Sequence, residues 1–340
     1  MPPRKSRPTL KDLATRLGIS ESAASFALNG RPGVSEQTRQ RVLNLAKELQ
    51  WAPHHAARTL SGIVTSMTVG FVLTRDVREF GMESFYLRLL TGAQAVLSDR
   101  GYALLFQMTH SVDEELAVLR RWSEERRVEG VIISDLRRGD RRPAHLRELG
   151  LPAVLAGGPD PKRLLPCVKV DDGVVIRLLV EHLRETGHRR VAYVSGPADL
   201  LHVHRRTAAF WQAAAGLLAE PAVVGTDYSD EQGAAATRRL IGADARPDAV
   251  IFDNEVLAVA GVRALRAAGL SVPADISVVS CEDSAICTAL TPSLTAVQRD
   301  PIVFGEAVAR KLLRLVHDEP EPAGEAQQPT IAIRESTRAR

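Results

Sequence analysis

Residues 9–30 have the pattern of two short amphipathic helices around one tight corner, and no other feature constrains the fold as strongly. The first helix has one apolar face at helical spacing, made by Leu10, Leu13, Ala14 and Leu17. Gly18 then supplies the backbone freedom for a sharp turn, and Ser20 is a suitable N-cap for a second helix. The inner side of that second helix would be Ala23, Ala24, Ala27 and Leu28. A helix–turn–helix unit is therefore expected at the amino terminus.

A third helix, capped by Ser35, is predicted to pack onto the first two. Helix–turn–helix units of this kind place the second helix in the major groove of DNA. Residues 1–65 contain ten lysines and arginines against four acidic residues, whereas the whole chain has a formal net charge of +3. Charge alone would fit an ordinary solvated surface equally well. Combined with the helix–turn–helix spacing, it favours phosphate attraction at one end of the chain.

The composition argues against membrane, metal and cofactor chemistry. Cys167, Cys281 and Cys287 show neither a CxxC pair nor a metal-ligand spacing. The first residues lack the apolar stretch of a signal peptide, and no run approaches the roughly 18 apolar residues of a membrane span. Neither a GxGxxG nor a Walker motif is present, and no nucleophile–base pair stands out. We therefore expect a cytoplasmic protein with no membrane contact, no metal, no cofactor and no catalytic residues.

From Thr68 onward, short apolar strands alternate with longer helical segments in two successive series. The first series begins with the strand at 68–73, and the second begins at Cys167. The alternation predicts an α/β core of two lobes, each a doubly wound parallel sheet with helices on both faces. Ligands of such sheets bind beyond the carboxyl ends of the strands. A binding cleft is therefore expected where the two lobes face each other, behind the all-α amino-terminal head.

Several motifs in the head and in the core are similar to those of one known family. In the head they are Thr-Leu-Lys-Asp-Leu-Ala (9–14), Gly-Ile-Ser (18–20) and Ala-Leu-Asn-Gly-Arg-Pro-Gly-Val-Ser (27–35). In the core they are Gly-His-Arg-Arg (187–190), Arg-Thr-Ala-Ala-Phe (206–210), Pro-Ala-Asp-Ile-Ser-Val-Val (273–279) and Leu-Thr-Ala-Val (294–297). The chain resembles the lactose-repressor (LacI/GalR) family of transcription regulators over nearly all of its length. The resemblance implies core lobes like those of periplasmic sugar-binding proteins.

The resemblance also implies how the chain is divided. Residues 1–52 would form the DNA-binding head, and residues 53–66 would form a hinge helix and linker. The family's chain crosses between the lobes three times. Lobe 1 would therefore comprise residues 67–168 with 298–325, and lobe 2 residues 169–297 with 326–340. The family implies a homodimer, with a tetramer as the alternative.

Candidate DNA contacts follow from the same resemblance. Leu60 is expected to wedge into the minor groove at the operator centre, with Ala57 and Arg58 in the same hinge segment. Phosphate contacts are assigned to side chains near helix starts, each of which could equally be a helix cap: Thr9, Ser20, Ser25, Asn29 and Thr38.

The base-reading positions depart from those of familiar repressors. Glu21 and Ser22 open the recognition helix, and Phe26 stands where many members carry Arg. Phe26 lacks the bidentate donors that read guanine, but it could press against a thymine methyl group, and Glu21 could accept from cytosine. The alternative is that Phe26 folds inward.

The resemblance places an effector site in the cleft between the lobes. The candidates are Phe85, Tyr86, Asp135, Arg206, Tyr228, Asn254 and Glu282. Arg206 would bind hydroxyl pairs or carboxylates, and Tyr228 would stack on the ligand. Glu282 stands where an Asp is commoner in the family. The alternatives are ordinary core for Phe85 and Tyr86, and an interdomain salt-bridge network around Arg206.

These observations together predict a dimeric repressor that binds palindromic operator DNA and is released by a small effector, a sugar or sugar derivative. One alternative is a corepressor-type regulator that the effector recruits to DNA. A solute-binding protein would require export, and a sugar-processing enzyme on the same core would require a catalytic constellation. Neither the effector nor the operator sequence follows from the sequence.

Overall fold

The computed structural model of the chain describes residues 8–28, 31–49, 66–75, 84–216, 219, 221–320 and 328–339. They belong to two compact units, Met1–Ser66 and Met67–Arg340. In the described part of the first unit, three helices α1, α2 and α3 span Leu10–Leu17, Glu21–Leu28 and Glu36–Glu48. Their small core consists of Leu13, Ala14, Ala24, Ala27, Val42 and Ala46.

The corner between α1 and α2 depends on one glycine. Gly18 has a φ of 66°, in the left-handed region that favours glycine. Its N–H donates to carbonyl groups in the last turn of α1, and the N–H of Ile19 donates to the carbonyl of Ala14 at 3.1 Å. These bonds satisfy carbonyls that the helix end would otherwise leave open, and they fix the direction in which α2 begins.

The second unit contains two sheets, of which the first defines lobe 1. Its five strands lie in the order β2–β1–β3–β4–β5, and all of its pairs are parallel. The strands are β1 Thr68–Thr74, β2 Ala103–Thr109, β3 Gly130–Ile133, β4 Ala153–Ala156 and β5 Cys167–Val168. The helices that connect them are α4 Ser84–Asp99, α5 Val112–Glu124 and α6 Arg142–Leu149.

The second sheet defines lobe 2. Its six strands lie in the order β11–β10–β9–β8–β6–β7, and they are parallel except for β11, which pairs antiparallel with β10. The strands are β6 Val191–Ser195, β7 Ala222–Gly225, β8 Ala249–Phe252, β9 Ser277–Ser280, β10 Thr295–Gln298 and β11 Thr330–Ala332. The helices are α7 Asp172–Glu185, α8 Leu201–Ala214, α9 Asp230–Ile241, α10 Glu255–Ala267 and α11 Ala285–Ala289.

The last helix, α12 (Pro301–Val316), returns to lobe 1 and packs against α4, β3 and β4. The crossing of α12 and α4 is close because both helices present a glycine there. A Cβ on Gly92 would lie 2.0 Å from the carbonyl oxygen of Ile302, and a Cβ on Gly305 would lie 2.0 Å from that of Leu89. The chain therefore passes between the lobes three times, after β5, after β10 and after α12.

Both sheets are covered by helices on both faces, which confirms the doubly wound fold expected from the alternating pattern. In lobe 1, Phe71 packs among α4 and α12 residues, whereas its neighbour Val72 packs among α5 and α6 residues. In lobe 2, Tyr193 faces α7 and α8, and Val194 faces α9 and α10. Successive residues of a strand thus bury apolar side chains on opposite faces of the sheet, as expected of parallel strands covered on both faces.

No helix in the described part of the chain has the length and apolar character needed to cross a membrane. Among the same residues, no group of three or more His, Cys, Asp or Glu side chains is placed to hold a metal ion.

Candidate functional site

The carboxyl ends of strands from both lobes open onto one cavity between them. The seven residues predicted to face an effector all line it: Phe85, Tyr86, Asp135, Arg206, Tyr228, Asn254 and Glu282. The sequence had not pointed to six further charged or titratable residues that line it: Arg75, Asp172, His202, Arg205, Asp253 and Arg299. The structure thus brings the seven predicted residues together. That they contact an effector stays a prediction.

Arg206, on α8, is the central cation of the lobe 2 wall and is almost completely buried. Its guanidinium donates to Asp253 Oδ1 at 2.8 Å and to Glu282 Oε1 at 2.9 Å. The carboxylate of Asp172 lies 3.4 Å from its Nε. Burial alone would lower the pKa of Arg206, but the surrounding carboxylates raise it well above its ordinary value. Arg206 is therefore permanently charged and fixed in position.

A salt-bridge network around Arg206 does exist, and the three carboxylates that surround Arg206 belong to its own lobe. Asp253 and Glu282 follow the neighbouring strands β8 and β9, and Asp172 is the first residue of α7. These elements all belong to lobe 2, because α7 and α8 pack on the same face of its sheet. The network fixes the lobe 2 wall of the cavity.

Asp253 is the main site residue that the sequence reasoning missed. It is fully buried and accepts hydrogen bonds from Tyr193 Oη and Tyr228 Oη, both at 2.6 Å. Burial would raise the pKa of Asp253, but Arg206 and these hydroxyl groups lower it to about 2. Its position directly after a buried strand was a usable signal, because the carboxyl ends of such strands are where ligands bind.

Asn254 and Glu282 complete the lobe 2 wall. Asn254 is the N-cap of α10, and its Oδ1 accepts the N–H of Leu257 at 2.9 Å. This bond leaves the amide nitrogen of Asn254 as the group that can donate to a ligand. Glu282 accepts from Arg206 and also from Arg299, in the segment after β10 where the chain leaves lobe 2.

The lobe 1 wall centres on Asp135, two residues beyond the end of β3. Asp135 has a φ of 49°, and its backbone oxygen accepts from Arg142 Nη2 at 2.7 Å. Its carboxylate accepts from Arg75 Nε at 2.8 Å. Burial would raise the pKa of Asp135, but the guanidinium of Arg75 beside it lowers that pKa well below its ordinary range. Asp135 is therefore ionised at neutral pH, like Asp253 opposite.

Aromatic side chains form the remaining surfaces of the cavity. Tyr228 is buried, and its ring stacks on His202 with centroids 6.4 Å apart and planes at 10°. Phe85 and Tyr86 meet edge to face at 5.3 Å. Both of them also pack on the lobe 1 core cluster. Phe85 and Tyr86 therefore belong to the core and to the cavity wall at once, so the core interpretation and the effector-site interpretation do not exclude each other.

Backbone hydrogen bonds join the lobes beside the cavity. The N–H of Leu201 donates to the carbonyl of Leu136, and the N–H of Arg138 donates to that of Asp199, both at 2.8 Å. Arg205 Nη2 donates to the carbonyl of Pro159 at 2.6 Å. The cavity so enclosed measures about 80 Å³. This volume is below the roughly 300 Å³ at which typical small-molecule pockets begin.

The head presents a second candidate surface, on α2. Glu21 and Ser22 are exposed at the start of the helix, and Ser25 is partly exposed one turn later. Phe26 is 37% exposed, so its ring does not fold into the core. Gly33 lies beside this ring, because a Cβ there would be 3.4 Å from Phe26 Cδ2. The expected base-reading face of α2 is therefore accessible.

Three of the predicted phosphate-contact residues have local roles as well. Thr9 forms a capping box with Asp12, Ser20 Oγ accepts from the N–H of Ala23, and Thr38 Oγ1 lies 2.9 Å from Ser35 Oγ. All three remain at least partly exposed, so capping does not prevent a phosphate contact. The other expected DNA contacts lie outside the described residues: Asn29, Ala57, Arg58 and Leu60.

Comparison with protein families and known proteins finds a matching family for each of the two units. The model for bacterial regulatory proteins of the lacI family matches residues 9–54, and that for a periplasmic binding protein-like domain matches residues 180–337. The HTH-type transcriptional regulator CelR of Thermobifida fusca is 32% identical over 339 residues, which is 98% of this chain and 99% of CelR.

Two solved structures are similar over almost the whole chain. A transcriptional regulator CelR–cellobiose complex superposes with a TM-score of 0.72 at 30% identity, covering 97% of this chain and all of the other. The Lac repressor dimer bound to operator and an anti-inducer superposes with a TM-score of 0.82, covering 98% and 100%. At 23% identity, the second likeness shows the shared fold alone. With a helix–turn–helix head on a two-lobed, periplasmic-binding-protein-like core, the chain belongs to the LacI family of DNA-binding transcriptional regulators.

Proposed function

We propose that this regulator is a repressor that binds a palindromic operator as a homodimer, and that a small neutral sugar in the interlobe cavity releases it. The observation that carries the proposal is the cavity itself. It is lined from both lobes by fixed hydrogen-bonding groups and by aromatic rings. Aromatic faces with converging polar groups suit a sugar ring, which has an apolar face and a rim of hydroxyl groups.

The charge of the cavity favours a neutral ligand. Its lining contains four arginines, Arg75, Arg205, Arg206 and Arg299, and four carboxylates, Asp135, Asp172, Asp253 and Glu282. Each of these arginines hydrogen bonds or pairs with groups of the chain itself. Among the described residues of the lining, no cation is therefore left over to neutralise a phosphate or a sugar acid, whose burial without one is unfavourable. Sugar hydroxyl groups can donate to the carboxylates and accept from the arginines.

Two buried polar atoms in the cavity lining support the same ligand class. Arg206 Nε and Asp172 Oδ2 have no hydrogen-bond partner within the described part of the chain. One is a donor and the other an acceptor, and buried groups of this kind are normally hydrogen bonded. A hydroxyl group, which both donates and accepts, would satisfy the two atoms together.

The sugar would act by changing how the two lobes are held. Arg206, Asn254 and Glu282 would bind it from lobe 2, and Asp135 from lobe 1, so the ligand stabilises one arrangement of the lobes. DNA affinity then changes only by as much as the ligand distinguishes the two arrangements. The structure of a CelR–cellobiose complex supports the choice of cellobiose as the first probe.

The test combines DNA binding with a ligand screen on the full chain. A fragment of the gene's own upstream region should be retarded in gels at low salt, and cellobiose or another neutral disaccharide should release it. Glucuronate and glucose 6-phosphate should not. Release by the charged sugars alone would contradict the neutral-ligand proposal, and a sugar that strengthens DNA binding would indicate a corepressor-type regulator.

A cavity variant tests the site itself. Asn254→Ser keeps a good N-cap for α10 but removes the amide nitrogen from the cavity. We expect unchanged thermal unfolding without sugar and at least tenfold weaker sugar binding by calorimetry. Equal sugar affinity in the variant and the wild type would exclude Asn254 from the effector site.

Operator recognition is tested through the hinge and the dimer. Leu60 lies outside the described residues, and its wedge role comes from the family resemblance. Leu60→Ala should weaken binding to the specific fragment far more than binding to random DNA, because only specific complexes need the kinked base step. Sedimentation should show two chains per protected site. Equal losses on both DNAs would contradict the hinge model.

A further inference from the structure

Arg75, the residue that follows β1, stacks across the cavity onto the opposite lobe. Its guanidinium carbon lies 4.9 Å from the centroid of the Tyr228 ring, in lobe 2. The same carbon lies 5.5 Å from the centroid of the Tyr86 ring, in lobe 1. Arg75 also forms an ion pair with Asp135 at 2.8 Å, and its side chain is only 7% exposed. One lobe 1 side chain thus covers aromatic surface of both lobes.

The Tyr228 ring is a platform held in place by contacts within lobe 2. Its hydroxyl group donates to Asp253 at 2.6 Å and lies 2.9 Å from His202 Nε2. A Cβ on Gly196 would lie 2.1 Å from Tyr228 Cζ, so the ring lies against the backbone that follows β6. Because these contacts hold the Tyr228 ring, a ligand that stacks on the ring has to displace the side chain of Arg75 from its face.

Arg75 is the group on this face that has to move when a ligand stacks there. Its guanidinium lies over the Tyr228 ring, so a sugar ring cannot take that place while Arg75 stays in it. The groups around Arg206 are fixed by several short bonds within lobe 2, whereas Arg75 reaches across from the other lobe. A planar guanidinium that lies on an aromatic ring also covers the face of the ring that a stacked sugar would cover.

We propose that Arg75 occupies the ring position of the effector site, so that stacking of Arg75 on Tyr228 and ligand binding exclude each other. Arg75 is then a built-in competitor that holds the two lobes together and sets the affinity for the ligand. Only a ligand that restores the lost stacking and the lost cross-lobe contact can displace it, which makes Arg75 a specificity-determining residue. The ligand part of this inference rests on the function proposed above, but the ligand-free part does not.

The stacking can be removed without leaving the carboxylate of Asp135 unpaired. Arg75→Met alone would strand Asp135, whose side chain is 10% exposed. The variant to use is therefore Arg75→Met with Asp135→Asn. Its matched control is Asp135→Asn alone, in which Arg75 loses this ion pair but keeps its two ring contacts, and the wild type, with the ion pair intact, is measured beside both. The loop carrying residue 135 stays anchored in both, because Arg142 bonds the backbone oxygen there.

The first readout needs no ligand. Hydrogen exchange of the full ligand-free chain reports the cross-lobe amides of Arg138 and Leu201, which exchange when the lobes separate. We expect both amides to exchange about 3- to 30-fold faster in the double variant than in the control, as a cation–π contact of this kind implies. Amides inside β6 should exchange equally in the two proteins. Equal exchange of the cross-lobe amides would overturn the proposal.

The second readout is calorimetry with cellobiose. Because the competitor is gone, the double variant should bind cellobiose about 3- to 30-fold more tightly than the control. Weaker binding would show that Arg75 holds the ligand and would overturn its role as a competitor. If the wild type binds no neutral sugar, the proposed effector class fails, and the exchange experiment alone still decides whether Arg75 holds the two lobes together.

Discussion

Replacing Arg206 with methionine should destabilise lobe 2 strongly at neutral pH. The Arg206 side chain is 5% exposed, and its partner Asp253 is 0% exposed. Methionine fills much of the same space but leaves Asp253 without its cation, whereas Glu282 keeps Arg299. Removing one partner of a buried ion pair costs about 3–5 kcal/mol. We therefore expect Arg206→Met to lower the free energy of unfolding by about 3–5 kcal/mol at pH 7.

The dependence of this loss on pH identifies its cause. The pKa of Asp253 is about 2 in the folded wild type, below the ordinary value of 3.8, so its ionisation stabilises the fold above pH 3.8. That contribution disappears as the pH falls towards 2. Without Arg206, burial dominates and raises the pKa of Asp253, so acid should favour the folded variant. The difference between the wild type and Arg206→Met should therefore shrink as the pH is lowered.

Urea unfolding of the full chain, followed by circular dichroism and by tryptophan fluorescence, measures the effect. The double variant Arg206→Met with Asp253→Asn is the matched control, because it removes the stranded charge as well. It should recover at least half of the lost stability. If the single and double variants unfold at the same urea concentration with the same slope, the buried charge is not the cause and the reasoning is wrong. A related consequence is that Arg206→Ala is a poor probe of ligand binding, since it also damages the wall.

Other outcomes follow from single contacts. Glu255→Gln should raise the melting temperature at pH 7 by a few degrees, since burial raises the pKa of this carboxyl and Gln can still accept from Ser84. The folded pKa lies above 4.5, so this gain should fade as the pH drops towards that value; a constant gain in melting scans would contradict the charge explanation. Gly92→Ala should destabilise lobe 1 by more than about 2 kcal/mol in urea, because the new Cβ would meet the Ile302 carbonyl, and a neutral result would mean that α4 and α12 slide apart freely. Thr9→Ala should destabilise the head by about 1 kcal/mol, while Thr9→Ser restores both stability and DNA affinity; full DNA affinity in Thr9→Ala would assign Thr9 to capping only.

Much of the architecture was predictable because it depends on local pattern. Gly18 and Ser20 mark the helix–turn–helix corner through backbone conformation and capping, which act between residues a few positions apart. The apolar strands of the core alternate with helices, and only a doubly wound parallel sheet buries such strands on both faces. The family resemblance then indicated which strand ends carry the site, and the structure brings those residues to one cavity.

Asp253 and Arg75 show where sequence reasoning reached its limit. Each is one charged residue after an apolar strand, as is Lys169 after β5, which lies on the surface. Asp253 becomes the anchor of the site only because β6, β8 and α8 bring Tyr193, Tyr228 and Arg206 to it from distant parts of the chain.

The sequence by itself determined the kind of molecule: a helix–turn–helix head, a core of two parallel-sheet lobes, and the family to which they belong. The spacing of apolar residues, the helix caps and the turn residues encode these features. These signals act over short stretches of the chain. Only the tertiary structure decided that Asp172, Asp253 and Glu282 surround Arg206 and that Arg75 stacks on the other lobe. Those outcomes depend on distances between residues far apart in sequence, which are set by how the lobes pack and close and not by any local pattern.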